Sequence, residues 1–302
     1  MAAEHPAISV HRHGFSAMAC DCEIVLDGLS AARAQEVASA CEAEVRRIEA
    51  KYSRYREDSV TAEINRAAAG GNGCRIDAET AALCRFADQL HRESRALFDL
   101  TSGVMRYIWR FDEPRLPPAD RIAEACARIG WDAVTLSDDA IAFGRPGMEI
   151  DFGGIGKEYA ADRAAAIARE HGACAGFINL GGDIAVIGPD ACGRPWSFGI
   201  RHPRKADAVI AHIEVARGAL ATSGDYERFV MVGGRRFCHI INPRTGLPVQ
   251  HWQSVSVVDT LCISAGAMAS IAMLMEADAL PWLRAQGVRF LAVGPDGQLI
   301  NG

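Results

Sequence analysis

The chain has 302 residues, 49% of them hydrophobic, and a formal net charge of −6 with a sequence pI near 5.9. An acidic balance without a basic run leaves nothing to neutralise phosphates along a polymer, which argues against a nucleic-acid partner. The apolar fraction suffices for a substantial core, in one large domain or in two interwoven ones. No apolar stretch is expected to reach membrane-spanning length, and residues 1–14 are too polar for the core of a signal peptide, which points to the cytoplasm.

In chain order, alternation over 17–26 predicts a strand that carries Met18, Cys20 and Cys22. A helix follows over 29–50, with Val37, Cys41, Val45 and Ile48 at helical spacing and Ser30 as its N-cap. Its exit, Lys51-Tyr52-Ser53-Arg54-Tyr55-Arg56, sets two tyrosines among three basic groups, suited either to an aromatic anionic ligand or to plain amphipathic surface. A second helix is predicted over 77–95. It leads into Leu97-Phe98-Asp99-Leu100-Thr101-Ser102-Gly103, where polar groups interrupt an apolar run and Gly103 permits close backbone approach. Tyr107, Trp109 and Phe111 read as core, and 119–129 as a short helix stopped by Gly130. Of the ten cysteines, Cys41, Cys84, Cys126 and Cys262 fall in predicted helices. Cys20 and Cys22 form neither a C-x-x-C pair nor a zinc set, so reduced thiols are expected.

Short strands are predicted at 134–136, 141–143 and 148–152. After them Gly153-Gly154-Ile155-Gly156-Lys157 opens a helix to about His171. A strand, a glycine turn and a helix aim backbone N–H groups and the positive helix end at phosphate, although neither the Walker nor the G-x-G-x-x-G spacing is present. A second strand runs through Phe177-Ile178-Asn179-Leu180 into Gly181-Gly182-Asp183. Paired glycine turns fit a cleft for a phosphorylated ligand, while tight packing alone would also account for them.

The densest set of reactive groups spans 221–249. A tight loop is expected over 221–224, strands over 226–232 and 235–241 around a Gly233-Gly234 turn, and a further turn at Asn242-Pro243-Arg244-Thr245-Gly246. Such a hairpin brings Thr222, Ser223 and Asp225 near His239 and Arg244. A lone strand histidine is more often structural than catalytic, but His239 lies between apolar neighbours and a polar turn. Beyond it come a strand at 254–259, helices at 262–275 and 277–286, and a closing hairpin over 288–300.

Together these motifs resemble the ApbE family of FAD:protein FMN transferases. The resemblance runs from Met18 through Ser53-Arg54-Tyr55-Arg56, Phe98-Asp99 with Thr101 and Gly103, and Asp151-Phe152-Gly153-Gly154-Ile155-Gly156-Lys157. It continues through Asn179-Leu180-Gly181-Gly182-Asp183, Ala221-Thr222-Ser223-Gly224-Asp225-Tyr226 and His239-Ile240-Ile241-Asn242-Pro243-Arg244-Thr245-Gly246. It implies an α+β fold of mixed and antiparallel sheets with packed helices around a central ligand cleft, one domain over 1–302 or two interwoven subdomains. It further implies an enzyme that binds FAD, uses magnesium at the diphosphate, and passes FMN to a threonine hydroxyl of an acceptor flavoprotein with release of AMP.

By the same resemblance Met18, Tyr55, Leu97, Phe98, Asp99, Asp151, Lys157 and Ile241 contact FAD, and His239 is the general base. Gly154, Ala269 and Ser270 then lie at the metal site. The family's late helix reads A-D-A-L-A-T, with its Asp and Thr as ligands, whereas this chain has Ala265-Gly266-Ala267-Met268-Ala269-Ser270. Gly266 thus lacks the strongest oxygen ligand for a hard cation. Either Asp183, Asp225 or Asp259 replaces it, or phosphate and water hold the ion, or the protein binds flavin without efficient transfer. Hydrolysis of FAD to FMN and AMP, and non-catalytic FAD binding, are the alternative activities. Many family members are exported lipoproteins, which sets the periplasm against the cytoplasmic expectation.

Overall fold

The computed structural model describes residues 10–302, so residues 1–9 of the polar start read for an export signal lie outside the described residues. In chain order the elements are β1 (His11–Ala17), β2 (Cys20–Asp27), α1 (Ala31–Tyr52), α2 (Val60–Ala69), β3 (Gly73–Arg75), α3 (Ala78–Glu93), α4 (Ala119–Cys126), β4 (Val134–Leu136), β5 (Ala140–Phe143), α5 (Gly156–Glu170), β6 (Ala175–Leu180) and β7 (Asp183–Gly188). There follow β8 (Trp196–Arg201), β9 (Val209–Val215), β10 (Gly218–Gly224), β11 (Phe229–Val232), β12 (Arg235–Cys238), β13 (Ser254–Asp259), α6 (Cys262–Met275), α7 (Ala279–Gln286), β14 (Arg289–Val293) and β15 (Leu299–Asn301). The chain divides into two compact units. The first holds the segments up to Glu49, Ile155–Thr222 and Ser256–Gly266; the second holds Ala50–Gly154, Ser223–Val255 and Ala267–Gly302.

In the first unit six neighbouring strands run in the order β1-β2-β6-β7-β10-β13. The pairs β1–β2, β2–β6, β6–β7 and β7–β10 are antiparallel. The strand expected over 17–26 is instead the second half of a hairpin. Met18 and Ala19 take φ of 55° and 58° and turn the chain, a geometry normally given to Gly or Asn. Neither Met nor Ala carries turn chemistry, which is why the turn was illegible. Glu49 Oε1 accepts the Met18 N–H at 2.5 Å and helps to hold it. The strand expected over 177–180 does run into a Gly181-Gly182 turn, from which β7 returns with Leu180 opposite Asp183.

Burial along β6 and β7 is almost continuous rather than alternating, as befits strands covered on both faces. On α5 the buried alanines Ala160, Ala161, Ala164, Ala165 and Ala168 allow close packing. Cys41 Sγ of α1 donates to the Ala164 carbonyl at 3.3 Å. Phe177 of β6 meets Trp196 and Phe198 edge-on, both at 5.0 Å, on a β8–β9 hairpin for which the sequence reading offered no expectation. Asp162 of α5 accepts the Cys262 and Ile263 N–H groups at 2.8 and 2.9 Å, satisfying two of the unpaired donors at the start of α6.

In the second unit Ser59 caps α2 through the Ala62 N–H, and Asp77 caps α3 through the Thr80 N–H. A three-stranded sheet runs β3-β5-β4. The strand expected over 148–152 does not form. Asn65 closes both hydrogen bonds of the Ile150 peptide, at 3.0 and 2.8 Å, and Phe152–Gly154 winds into a 3₁₀ turn. Val104, Met105, Trp109, Ala125 and Ile129 make a core cluster. Tyr107, expected in that core, is 64% exposed instead. Gly103 is needed where it stands, because a Cβ there would meet the Glu149 carbonyl at 2.8 Å. The expected loop over 221–224 is the end of β10, and β11 and β12 are shorter than the periodicity suggested.

All ten cysteines are free thiols, as expected. One expectation about membranes is corrected: Cys262–Gln286 is a 25-residue helical run long and apolar enough to cross a bilayer, though 56% of its apolar window is buried in the protein. Ile271, Ala272 and Met273 of that run are wholly buried, as in a core helix. Replacing Asp162 with Ala should lower unfolding free energy by about 1–2 kcal/mol, the usual loss for a helix-start acceptor. A urea titration followed by circular dichroism reads this directly, and an unchanged midpoint would deny Asp162 that role.

Candidate active site

One end of the first unit's sheet gathers several polar groups. The Gly181-Gly182 turn has φ of 62° and 98°, and a Cβ on Gly181 would lie 2.8 Å from Cys20 Cβ and 3.7 Å from Lys157 Nζ. Only glycine fits both the backbone twist and that approach. Gly181 N–H donates to the Asp21 carbonyl at 3.1 Å, so this turn and the Met18-Ala19 turn share one edge. Lys157, second residue of α5, sets its ammonium 2.7 Å from Asp183 Oδ2. Burial pushes the Lys157 ammonium down, but Asp183, followed by Glu158, outweighs it and holds the group above its ordinary range. Asp183 Oδ1 accepts the Thr222 N–H at 3.2 Å, and the Thr222 and Ser256 hydroxyls share a hydrogen bond of 2.8 Å.

Next to Lys157, Glu158 is fully enclosed. Burial first, and the Asp183 charge second, push its carboxyl up to about 8. Its Oε2 has no hydrogen-bond partner. This arrangement suits an anionic group in only one respect, the helix start with its lysine. The nearby carboxylates oppose it.

The second unit holds the remaining sequence-named residues. Arg54 pairs with Asp151 and donates to the Tyr55 hydroxyl at 2.9 Å, with its guanidinium 5.0 Å from the centre of the Tyr55 ring. Asp151 Oδ1 accepts the Gly153 N–H at 2.9 Å, so the acid shapes the glycine turn. Tyr55 is 71% exposed, an aromatic face turned to solvent. Burial raises its phenol, but Arg54 and then Arg228 outweigh it and the net shift is downward. Arg228 is therefore the bridge to His239, whose N–H donates to the Arg228 carbonyl at 2.9 Å and whose Nδ1 lies 3.3 Å from the same oxygen. With Nδ1 carrying the proton toward that carbonyl, Nε2 is the basic ring atom.

Other placements are less direct. Asp99 is committed internally: it accepts Thr101 N–H and hydroxyl at 2.8 and 2.6 Å and Trp131 N–H at 3.0 Å. Its carbonyl also accepts the Ser102 N–H at 3.1 Å. Phe98 is buried with its ring 3.3 Å from where a Gly154 Cβ would stand, and Leu97 beside it is half-buried. Ile241 packs on the Trp109 cluster, and Trp109 Nε1 donates to the Gly246 carbonyl at 2.8 Å. Arg244, expected on the rim with His239, donates to the Arg95 carbonyl. Ala269 is wholly buried with only a methyl side chain, and the Ser270 hydroxyl bonds that of Ser223 at 2.9 Å. Among the described residues no group of three or more His, Cys, Asp or Glu side chains is placed to hold a metal ion. Sequence reading missed Asn65, Arg228 and the enclosed Glu158. The last carried one signal, an acid in the first turn of a helix that follows a glycine turn.

A family model described as the ApbE family matches residues 18–292. The FAD:protein FMN transferase of Rhodobacter capsulatus is 31% identical over 286 residues, 92% of this chain and 54% of that protein, so the chain spans about half that relative's length. The FAD:protein FMN transferase of Haemophilus influenzae is 28% identical over 235 residues, 74% of this chain and 68% of its own. Among solved structures, the ApbE protein of Thermotoga maritima has a TM-score of 0.90 at 30% identity, with 97% of each chain covered. The flavin transferase ApbE of Vibrio cholerae, at 22% identity and a TM-score of 0.85 over 98% of this chain and 97% of its own, shares the fold. The chain belongs to the ApbE family.

Removing the cation from the Lys157–Asp183 pair leaves a buried, charged Asp183. Lys157→Met should therefore lower stability by about 3 kcal/mol, and Lys157→Met with Asp183→Asn should recover part of the loss. Denaturant midpoints of the three variants check this; equal losses in the single and double variants would show that the pair is not coupled.

Proposed function

We propose that this protein binds FAD and transfers its FMN moiety to a threonine hydroxyl of an acceptor protein, releasing AMP. Family membership over nearly the whole chain supports flavin transfer in general. The observation that carries the reading on this chain's own residues is His239. It stands exposed at the mouth of the β11–β12 hairpin, with Nδ1 3.3 Å from the Arg228 carbonyl.

In the reaction the threonine Oγ forms a bond to the FMN-side phosphorus of the diphosphate. The bond from that phosphorus to the bridging oxygen breaks, AMP leaves with that oxygen, and the threonine proton passes to His239 Nε2. Positioning and charge stabilisation supply most of the rate in such phosphoryl transfers. Tyr55, backed by Arg54 and Arg228, offers an aromatic surface with two guanidiniums beside it for a flavin or adenine ring and its attached phosphate. Magnesium, when bound, would neutralise diphosphate charge and stabilise the departing AMP phosphate. The family pattern offers it the oxygens at Gly154, Ala269 and Ser270. The exposure of His239 favours hydrolysis of FAD to FMN and AMP as the second reading when no acceptor is present.

Purified protein with FAD and magnesium should release AMP in step with covalent flavin on a threonine-bearing acceptor peptide, read by chromatography and mass spectrometry. AMP released equally without acceptor would establish hydrolysis instead, and flavin binding without AMP would remove both. His239→Ala should slow AMP release roughly 10²- to 10⁴-fold with FAD binding retained in a fluorescence titration. Unchanged turnover would remove His239 as the base.

A further inference from the structure

We propose that Glu158, from the first turn of α5, is a direct oxygen ligand of a divalent cation and stands in for the acid that position 266 lacks. This rests on the flavin-transfer reading above and names the residue through which that reaction would recruit its metal.

The first observation is steric. A Cβ built on Gly266 would lie 2.5 Å from Glu158 Cγ, 2.7 Å from Oε1 and 2.9 Å from Cδ. Position 266 and position 158 thus compete for one volume, and in this chain the Glu158 carboxylate fills it. An Asp at 266 and a Glu at 158 could not both keep their places. The lack of a side chain at 266 is what leaves room for the acid at 158.

The second observation is an unsatisfied oxygen. Glu158 is 7% exposed, and its Oε2, with no protein hydrogen bond, is shielded from solvent. Leaving a buried carboxylate oxygen without a donor costs folding free energy, and in native proteins such groups call for a specific explanation. Charge balance points the same way. Around this end of the sheet Lys157 is engaged by Asp183 at 2.7 Å, and Glu158 is a second acid sharing that one ammonium. A diphosphate brought to this helix start would add further negative charge. A hard cation between Glu158 and the phosphate oxygens satisfies the orphan oxygen and offsets both charges. Magnesium or manganese takes few protein ligands there, with phosphate and water completing the shell.

The test is Mn²⁺ binding to the full chain in the presence of FAD, measured by electron paramagnetic resonance. FAD binding without metal is followed separately by flavin fluorescence, and folding by thermal denaturation. Glu158→Gln keeps the shape and removes the charge. It should weaken Mn²⁺ binding roughly ten- to a hundredfold with no loss of metal-free FAD affinity. The double variant Glu158→Gly, Gly266→Asp moves the acid to the other side of the same volume and should restore Mn²⁺ binding. Gly266→Asp alone should be destabilised by collision with Glu158, a readout independent of metal. Glu158→Gln binding Mn²⁺ as tightly as the parent overturns the assignment, as does a parent that binds FAD but no Mn²⁺. A parent that binds no FAD at all sinks the flavin reading instead.

Discussion

The ion pair between Lys157 and Asp183 is the constraint around which the first unit's polar end is built. It joins the start of α5 to the start of β7, and through Asp183 Oδ1 it also holds the Thr222 N–H of β10. Three elements that are remote in sequence are therefore fixed by one carboxylate. Because that carboxylate is almost wholly buried, it demands its full set of donors. The glycine turn at 181–182 then lies close to Lys157 because no side chain intervenes. Charge and backbone twist cooperate here: the turn admits an approach that the ion pair makes useful.

Much of this architecture was legible in the chain. Helical spacing located α1 and α3 to within a few residues, since their apolar positions are regular and Asp77 marks the start of α3, and the glycine turn at 153–156 marked the start of α5. Paired glycines gave the β11–β12 turn correctly. The failures share one cause, in that tertiary partners overrode local pattern. Met18 and Ala19 turn the chain although neither residue type favours it. Residues 148–152 look like a strand, but Asn65 takes the hydrogen bonds of the Ile150 peptide that a neighbouring strand would have used. Tyr107 reads as core by composition and stands in solvent, its ring 4.6 Å from the Arg106 guanidinium.

The candidate site was legible as a set of residues and less so as a set of roles. Asp99 sits in a motif that suggests ligand contact, yet its oxygens are taken by Thr101 and Trp131. Its part is to shape the segment that presents Leu97 and Phe98. Gly266 reads as a loss when the late helix is compared position by position with its family pattern. Space, however, is shared between positions, and the atoms absent from one residue are present on another. A linear comparison of motifs has no means of showing such an exchange, because it depends on which side chains meet.

Arg244 carries a last consequence. Its guanidinium reaches the carbonyl of Arg95, and Arg95 and Ala96 both take left-handed backbone angles, with φ of 54° and 62°. Such a pair of non-glycine residues is strained and persists only where surrounding contacts impose it. The turn that follows the histidine strand thus tethers the bend from which Leu97 and Phe98 emerge. A disturbance in one would be felt mechanically in the other, so the histidine strand and the bend before Leu97 and Phe98 are held by a single brace.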